Sequence, residues 1–279
     1  MYWSVPVSQG YGRRMRFLVR DKQNGKMIGL FGLTDPVFNL RVRDNWIGWD
    51  VEQRKRNLRS VMDAFVLGAI PPYSHLLGGK LVCTLLASSE VREAYHKKYS
   101  EQKSVIRGRI HDNDLLLLTT TSALGKSSLY DRIRMNKRTY FYSVGVTEGY
   151  GHFHIPQRIF HKMRRLLQLM NHPYATKNRF GHGPNWRMRV IRVALKECGF
   201  NPHLLKHQIK RESFMIPLAR NSKLCLREKS KTPVYFDGNV SEIAENALRR
   251  WVVPRAERKP SYRMWDRIEF LRSIAKMIR

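Results

Sequence analysis

A chain of 279 residues with 52 Lys/Arg against 22 Asp/Glu carries a formal charge of +30, a surplus that must be solvated or met by a polyanion, nucleic acid first among candidates. A hydrophobic fraction of 42% with 6 Trp, 12 Tyr and 12 Phe excludes wholesale disorder, because that much apolar mass can offset the entropy of ordering. No apolar run reaches the roughly 18–20 residues of a membrane span. The first twenty residues lack a signal-peptide core, and Cys83, Cys198 and Cys225 are too few and too scattered for a disulfide frame. Together these predict a cytoplasmic protein with reduced thiols.

In chain order, residues 16–19 and 27–33 flank Asn24-Gly25 and predict a β-hairpin. Asp50 with Gln53 forms a capping-box pattern opening a helix. The spacing of Val51, Leu58, Val61, Met62, Phe65 and Val66 carries that helix towards Pro71-Pro72, with Arg54, Lys55, Arg56 and Arg59 on its wet side. Helical stretches follow over 75–86 and 90–99. The run Leu115–Leu118 with Thr119, Thr120 and Thr121 predicts a buried strand, then a loop over 122–125 and a helix from Lys126 to Ile133. Residues 140–146 predict another strand, closed by a Gly-rich turn. From Ile155-Pro156 an amphipathic helix buries Ile159, Phe160, Met163, Leu166, Leu167 and Met170 and turns Arg158, Lys162, Arg164 and Arg165 outwards. A breaker-rich loop over 171–185 marks a boundary. Beyond it come a basic helix over 186–197 stopped by Gly199, a helix over 202–210 capped by Asn201-Pro202, a short apolar strand or turn over 214–218, and helices over 241–251 and 264–278.

The charge is uneven. Residues 1–154 hold 24 Lys/Arg and 13 Asp/Glu, whereas residues 155–279 hold 28 and 9. The expected organisation is an α/β core over residues 1–170, with a mixed, mainly antiparallel sheet flanked by helices. A basic, mostly helical region over 171–279 is expected to hold the phosphate backbone of a nucleic acid, DNA before RNA. The expected contacts are Lys177, Arg179, Arg187, Arg189, Arg192, Lys206, Lys210 and Arg211, with the helices over 186–197 and 202–210 forming a helix-turn-helix-like pair.

Several motifs fail on spacing. Gly125-Lys126-Ser127 resembles the end of a P-loop, but Thr120 stands where its first glycine belongs. Gly10-Tyr11-Gly12 and Gly149-Tyr150-Gly151 lack the third glycine of a dinucleotide fingerprint, since Met15 and His154 stand there. The strand–loop–helix over 115–133 retains a physical reading: Ser122, Gly125, Lys126, Ser127 and Ser128 would present N–H groups to a phosphate or pyrophosphate, or Ser122 and Ser127 would merely cap the turn. Tyr130, Tyr142, Glu148 and His152 are the candidate proton carriers. His152 and His154 alternate without a third ligand, and Asp35, Asp44, Asp50, Asp112, Asp114, Asp131 and Glu148 give no preferred trio, so no metal site is expected and no cofactor is assigned. The tail stripe Trp265, Ile268, Leu271, Ala275 and Ile278 suits a membrane surface or, more commonly for such a helix, a face docked on the chain's own core.

Trp46-Ile47-Gly48-Trp49 with Gln53-Arg54, Leu77-Gly78-Gly79-Lys80 with Leu86-Ala87-Ser88-Ser89, and the run from Thr119 to Tyr130 resemble the Druantia A domain family. Val144-Gly145-Val146-Thr147-Glu148-Gly149 and Gly181-His182-Gly183-Pro184 extend the resemblance over nearly the whole chain. That family takes its name from a bacterial antiphage defence system and also occurs in mobile elements; its members are commonly longer at the N-terminus. The resemblance implies a role in defence or on mobile DNA, with other proteins of such systems as partners, but carries over no residue chemistry. The element order also resembles an acyltransferase of the GNAT type and, more distantly, phage Mom-type DNA-modification proteins, although the Arg/Gln-x-x-Gly-x-Gly signature is missing. This likeness implies an alternative, a transferase acting on a nucleobase with 122–128 holding its donor. A third reading is a non-catalytic subunit docking on an acidic protein.

Overall fold

The computed structural model describes residues 12–100, 114–123, 125–148, 155–176, 184–206 and 208–278. Strands β1 (Arg14–Arg20) and β2 (Met27–Thr34) form the expected hairpin. Its turn is longer than a two-residue one: Asp21 N–H donates to Lys26 O, and only Gly25 takes a left-handed φ, +67°. Helix α1 (Arg41–Ile47) leads to α2 (Val51–Asn57), which opens on the Asp50–Gln53 capping box.

Here the helical reading of residues 51–66 is corrected. Helix α2 stops at Asn57, and β3 (Val61–Ala69) pairs antiparallel with β2. Val61, Met62 and Val66 fit a strand as well as a helix, and β-branched side chains favour the pleated state once a neighbouring strand is supplied. Helices α3 (Gly78–Leu85) and α4 (Ser89–Tyr99) follow, then β4 (Leu117–Thr121). The helix expected from Lys126 to Ile133 is absent: that segment contains only a single 3-10 turn, Tyr130–Arg132. A small hairpin, β5 (Arg134–Met135) and β6 (Arg138–Thr139), precedes β7 (Tyr142–Val146). Next come α5 (Gln157–Leu169), α6 (Pro173–Thr176) and α7 (Pro184–Glu197). Then β8 (Glu212–Pro217), α8 (Ser222–Leu226), α9 (Val240–Ala247), α10 (Val253–Arg258) and α11 (Arg267–Ile278) complete the order.

Chain contacts divide the molecule into two compact units. The described part of one comprises residues 12–146 and 211–278; that of the other lies within 147–210. The boundary expected after residue 170 therefore falls inside the second unit, between α5 and α7, which share one core.

The first unit is a mixed α/β layer structure around a six-stranded sheet of order β1-β2-β3-β4-β8-β7. All pairings are antiparallel except β3 with β4. Strand β8, from far along the chain, lies between β4 and β7, so the sheet is not confined to residues 1–170. Leu115 and Leu118 join the core on one sheet face, with α3 and α9; Leu116 and Leu117 join that on the other, with α1 and α8. A strand buried on both faces reads as the continuous apolar run seen here. In the helical C-terminal region, Ile243, Ala247 and Trp251 enter the first of these cores. The apolar stripe of α11 does not: Ile268, Leu271 and Ala275 are exposed.

The second unit holds its own small core. Phe160 and Leu167 of α5 pack with Val190, Ile191 and Ala194 of α7 and with Leu205, and Trp186 meets Phe160 edge-on at 5.7 Å. Gly199, at φ +77°, stops α7 as expected. The helix expected over 202–210 shrinks to one 3-10 turn, Pro202–Leu205, although Asn201 does cap it by accepting from the His203 N–H at 2.9 Å. The capping signal is local and the length is not, so no second recognition-type helix forms.

Candidate functional site

In the second unit the apolar face of each helix is spent on the shared core, which forces the cations outwards. Arg158, Lys162 and Arg165 on α5 are exposed at i, i+4, i+7 spacing, and Arg189, Arg192 and Lys196 on α7 are exposed at i, i+3, i+7. Each set makes a stripe along one helix face. Residues 147–210 contain twelve Lys/Arg and two Asp/Glu, an excess of ten positive charges.

An open cavity of about 360 Å³ lies beside the middle of the α7 stripe, lined by Arg192, Pro202, His203 and Lys206. Its lining combines two cationic side chains, an imidazole and a proline ring.

Two of the outward-facing arginines expected from sequence are instead packing residues. The Arg187 guanidinium donates to Gln157 Oε1 and, at 2.6 Å, to Ile155 O, and lies 4.5 Å from the Phe160 ring centroid. Arg164 lies 5.7 Å from that of Trp186. Lys206 is half-buried and Lys210 exposed; Arg211 lies in the first unit, bridged to Gly125. Lys177, Arg179 and His152 fall outside the described residues.

The loop expected to cradle a phosphate is occupied by the chain's own groups. Ser127 N–H donates to Glu212 Oε2 at 3.1 Å, the Glu212 N–H donates to Ser122 Oγ at 2.9 Å, and the Ser122 hydroxyl donates to Gly125 O. Ser143 adds a 2.6 Å bond to Glu212 Oε1. Without a following α-helix there is no macrodipole to draw an anion. Lys126 and Ser128 are exposed beside this loop. Tyr130 is a core aromatic, stacked on Phe141 at 5.0 Å and edge-on to Phe214 at 5.1 Å, and burial raises its pKa, which disfavours proton transfer at neutral pH. Tyr142 is exposed on β7 beside Trp46, and Glu148 is exposed.

Sequence reading missed a different carboxyl. The parallel pairing of β3 and β4 covers only Val61↔Leu117, Met62↔Leu118 and Asp63↔Thr119. Asp63 stands at the last paired position and accepts a 2.6 Å hydrogen bond from the Thr119 hydroxyl. Burial pushes its pKa up to about 6, against the smaller opposing pulls of Thr119 and of Arg43. Arg43 is itself fully buried, held by Val37 O, Phe38 O and Asp44. The signal was hidden because Asp63 lay in a segment read as helix. Among the described residues no group of three His, Cys, Asp or Glu is placed to hold a metal ion, and no helix is long and apolar enough to cross a membrane.

No solved structure matches the chain. Druantia protein DruA of Escherichia coli (strain UMEA 4076-1) is 48% identical to it over 264 residues, 94% of this chain. The chain spans 65% of that relative's length. A family model described as Druantia protein DruA matches residues 1–228, which takes in the whole second unit and every strand of the sheet. On a match of that extent, the chain belongs to the Druantia protein DruA family.

Proposed function

We propose that this chain acts in antiphage defence or on mobile DNA by gripping the phosphate backbone of a nucleic acid through the cationic helices of its second unit. The observation that carries the reading is the pair of cationic stripes, Arg158–Lys162–Arg165 and Arg189–Arg192–Lys196, with Arg192 also lining a cavity with His203 and Lys206. Regular spacing on the wet face of two helices matches an extended polyanion better than charges placed only for solubility. Family membership supports the setting, since the relative it resembles carries the Druantia name. Binding of this kind displaces condensed counterions, so affinity falls steeply and linearly in the logarithm of salt. The test is fluorescence anisotropy with labelled duplex DNA, single-stranded DNA and RNA, beginning at ~50 mM salt, where phosphate contacts are strong. Saturable binding with a steep salt slope is the expected result. Absence of binding to all three probes would overturn the reading.

A further inference from the structure

The tail of the described chain carries an apolar seam that no other part of the proposed function uses. Ile268, Leu271 and Ala275 of α11 are spaced by three and four residues, the repeat that brings one side of a helix against a partner helix. All three are exposed, with Ile268 at 59% and Leu271 at 52%, and Met264, 84% exposed, ends the 3-10 turn that precedes the helix. Helix α11 takes its N-terminal cap from the residue before it. Asp266 caps it by accepting from the Ile268 and Glu269 N–H groups, each at 2.8 Å. Phe270 and Ile274, half-buried, lie on another side, and Phe270 meets Trp265 at 6.0 Å.

The flanks of the seam decide what fits it. Projecting the helix at about 100° per residue puts Arg272 beside the seam on one edge and Arg267 on the other. Both are exposed cations. Glu269 and Lys276, seven residues apart, share a position further round, and Asp266 precedes the helix as its cap. In a two-helix seam the flanking positions of one helix face those of the other and select the partner by charge. A second copy of α11 would set Arg267 against Arg272 or against itself, and either arrangement is repulsive.

We propose that α11 is a docking helix for an amphipathic helix of another protein, one whose own 4-3 apolar seam is bordered by Asp or Glu. The partner would cover Ile268 and Leu271 and pair its acids with Arg267 and Arg272. This surface is separate from the nucleic-acid reading and does not depend on it.

The probe is a labelled synthetic helix of about three heptads with Ile and Leu at the seam and Glu at the flanks, beside the same peptide with Lys at the flanks. The full chain is titrated into each at ~100 mM salt, followed by fluorescence anisotropy. The Glu-flanked peptide is expected to bind at least about tenfold more tightly. The double substitution Ile268→Asp with Leu271→Asp abolishes that binding. Arg267→Glu with Arg272→Glu inverts the preference towards the Lys-flanked peptide. The substituted side chains are exposed, and circular dichroism verifies that both variants stay folded. Equal affinity for the two peptides, or a preference that survives the charge reversal, overturns the proposal. So does self-association in sedimentation, or binding to phosphatidylserine vesicles, that Ile268→Asp with Leu271→Asp removes, because the seam would then belong to a second copy or to a lipid surface.

Discussion

The Thr119 hydroxyl donates to the Asp63 carboxyl at 2.6 Å across the last rung of the β3–β4 ladder. One rung on, the backbone pairing is gone and the Thr120 hydroxyl reaches Ala64 O at 2.9 Å instead. Two threonine side chains thus tie the two strands together where the parallel ladder ends.

This placement sets a pH dependence. The Asp63 pKa rises from 3.8 to about 6 on folding, mainly through burial. Below the unfolded value the group is protonated in both states and its contribution to stability is fully present. Between 3.8 and about 6 the unfolded chain releases the proton first, so stability falls as pH rises; above about 6 the loss is complete. The upper bound is roughly 3 kcal/mol, reduced because part of the residue reaches solvent. Asp63→Asn should therefore stabilise the protein at neutral pH and flatten this dependence. Urea unfolding midpoints across that range check it, and parallel curves for the two proteins would contradict it.

A second prediction concerns Arg43, whose burial lowers its pKa while Asp44 opposes that shift. Asp44 accepts from Leu40 N–H, Arg43, Trp49 Nε1 and Arg54, at 2.9 to 3.2 Å. Asp44→Ala leaves the guanidinium buried with carbonyl oxygens alone. The expected loss is about 3–5 kcal/mol, the usual cost of breaking a buried pair from one side. Denaturant unfolding measures it.

Charge reversal should separate binding cations from packing ones. Arg192→Glu with Lys206→Glu should lower the salt slope of nucleic-acid binding by about two phosphate contacts. Arg187→Ala should instead cost stability, about 1–2 kcal/mol from its hydrogen bonds and its contact with Phe160, with the slope changed by less than one contact. Anisotropy at several salt concentrations, beside thermal melts of each variant, distinguishes the two outcomes.

The capping box of α2 gives a local prediction. Asp50 accepts from Gln53 N–H at 2.7 Å, and the Gln53 side chain accepts from Asp50 N–H at 3.0 Å. Asp50→Ala should cost about 1 kcal/mol, measured by urea unfolding.

Local signals were legible wherever one or two residues decide a conformation. Asp50 with Gln53, Gly199 behind α7 and Asn201 before Pro202 all act as their types imply. Extent was harder to read. Val61, Met62 and Val66 satisfy both periodicities over so short a run, and Asn201 announces a start without saying how far the turn continues. The outward-facing charges show the same division. Arg187 and Arg189 are neighbours on α7, yet the former folds onto Phe160 and the latter stays exposed.

Composition and pattern alone determined that the chain is a mixed α/β protein with a cationic, helix-rich half, because charge and apolar periodicity are carried by the residues themselves. Tertiary structure decided which cations reach solvent, that β8 enters the sheet between β4 and β7, and that Glu212 fills the loop otherwise suited to a phosphate. Those outcomes rest on contacts between residues far apart in the chain, whose energies no local stretch contains.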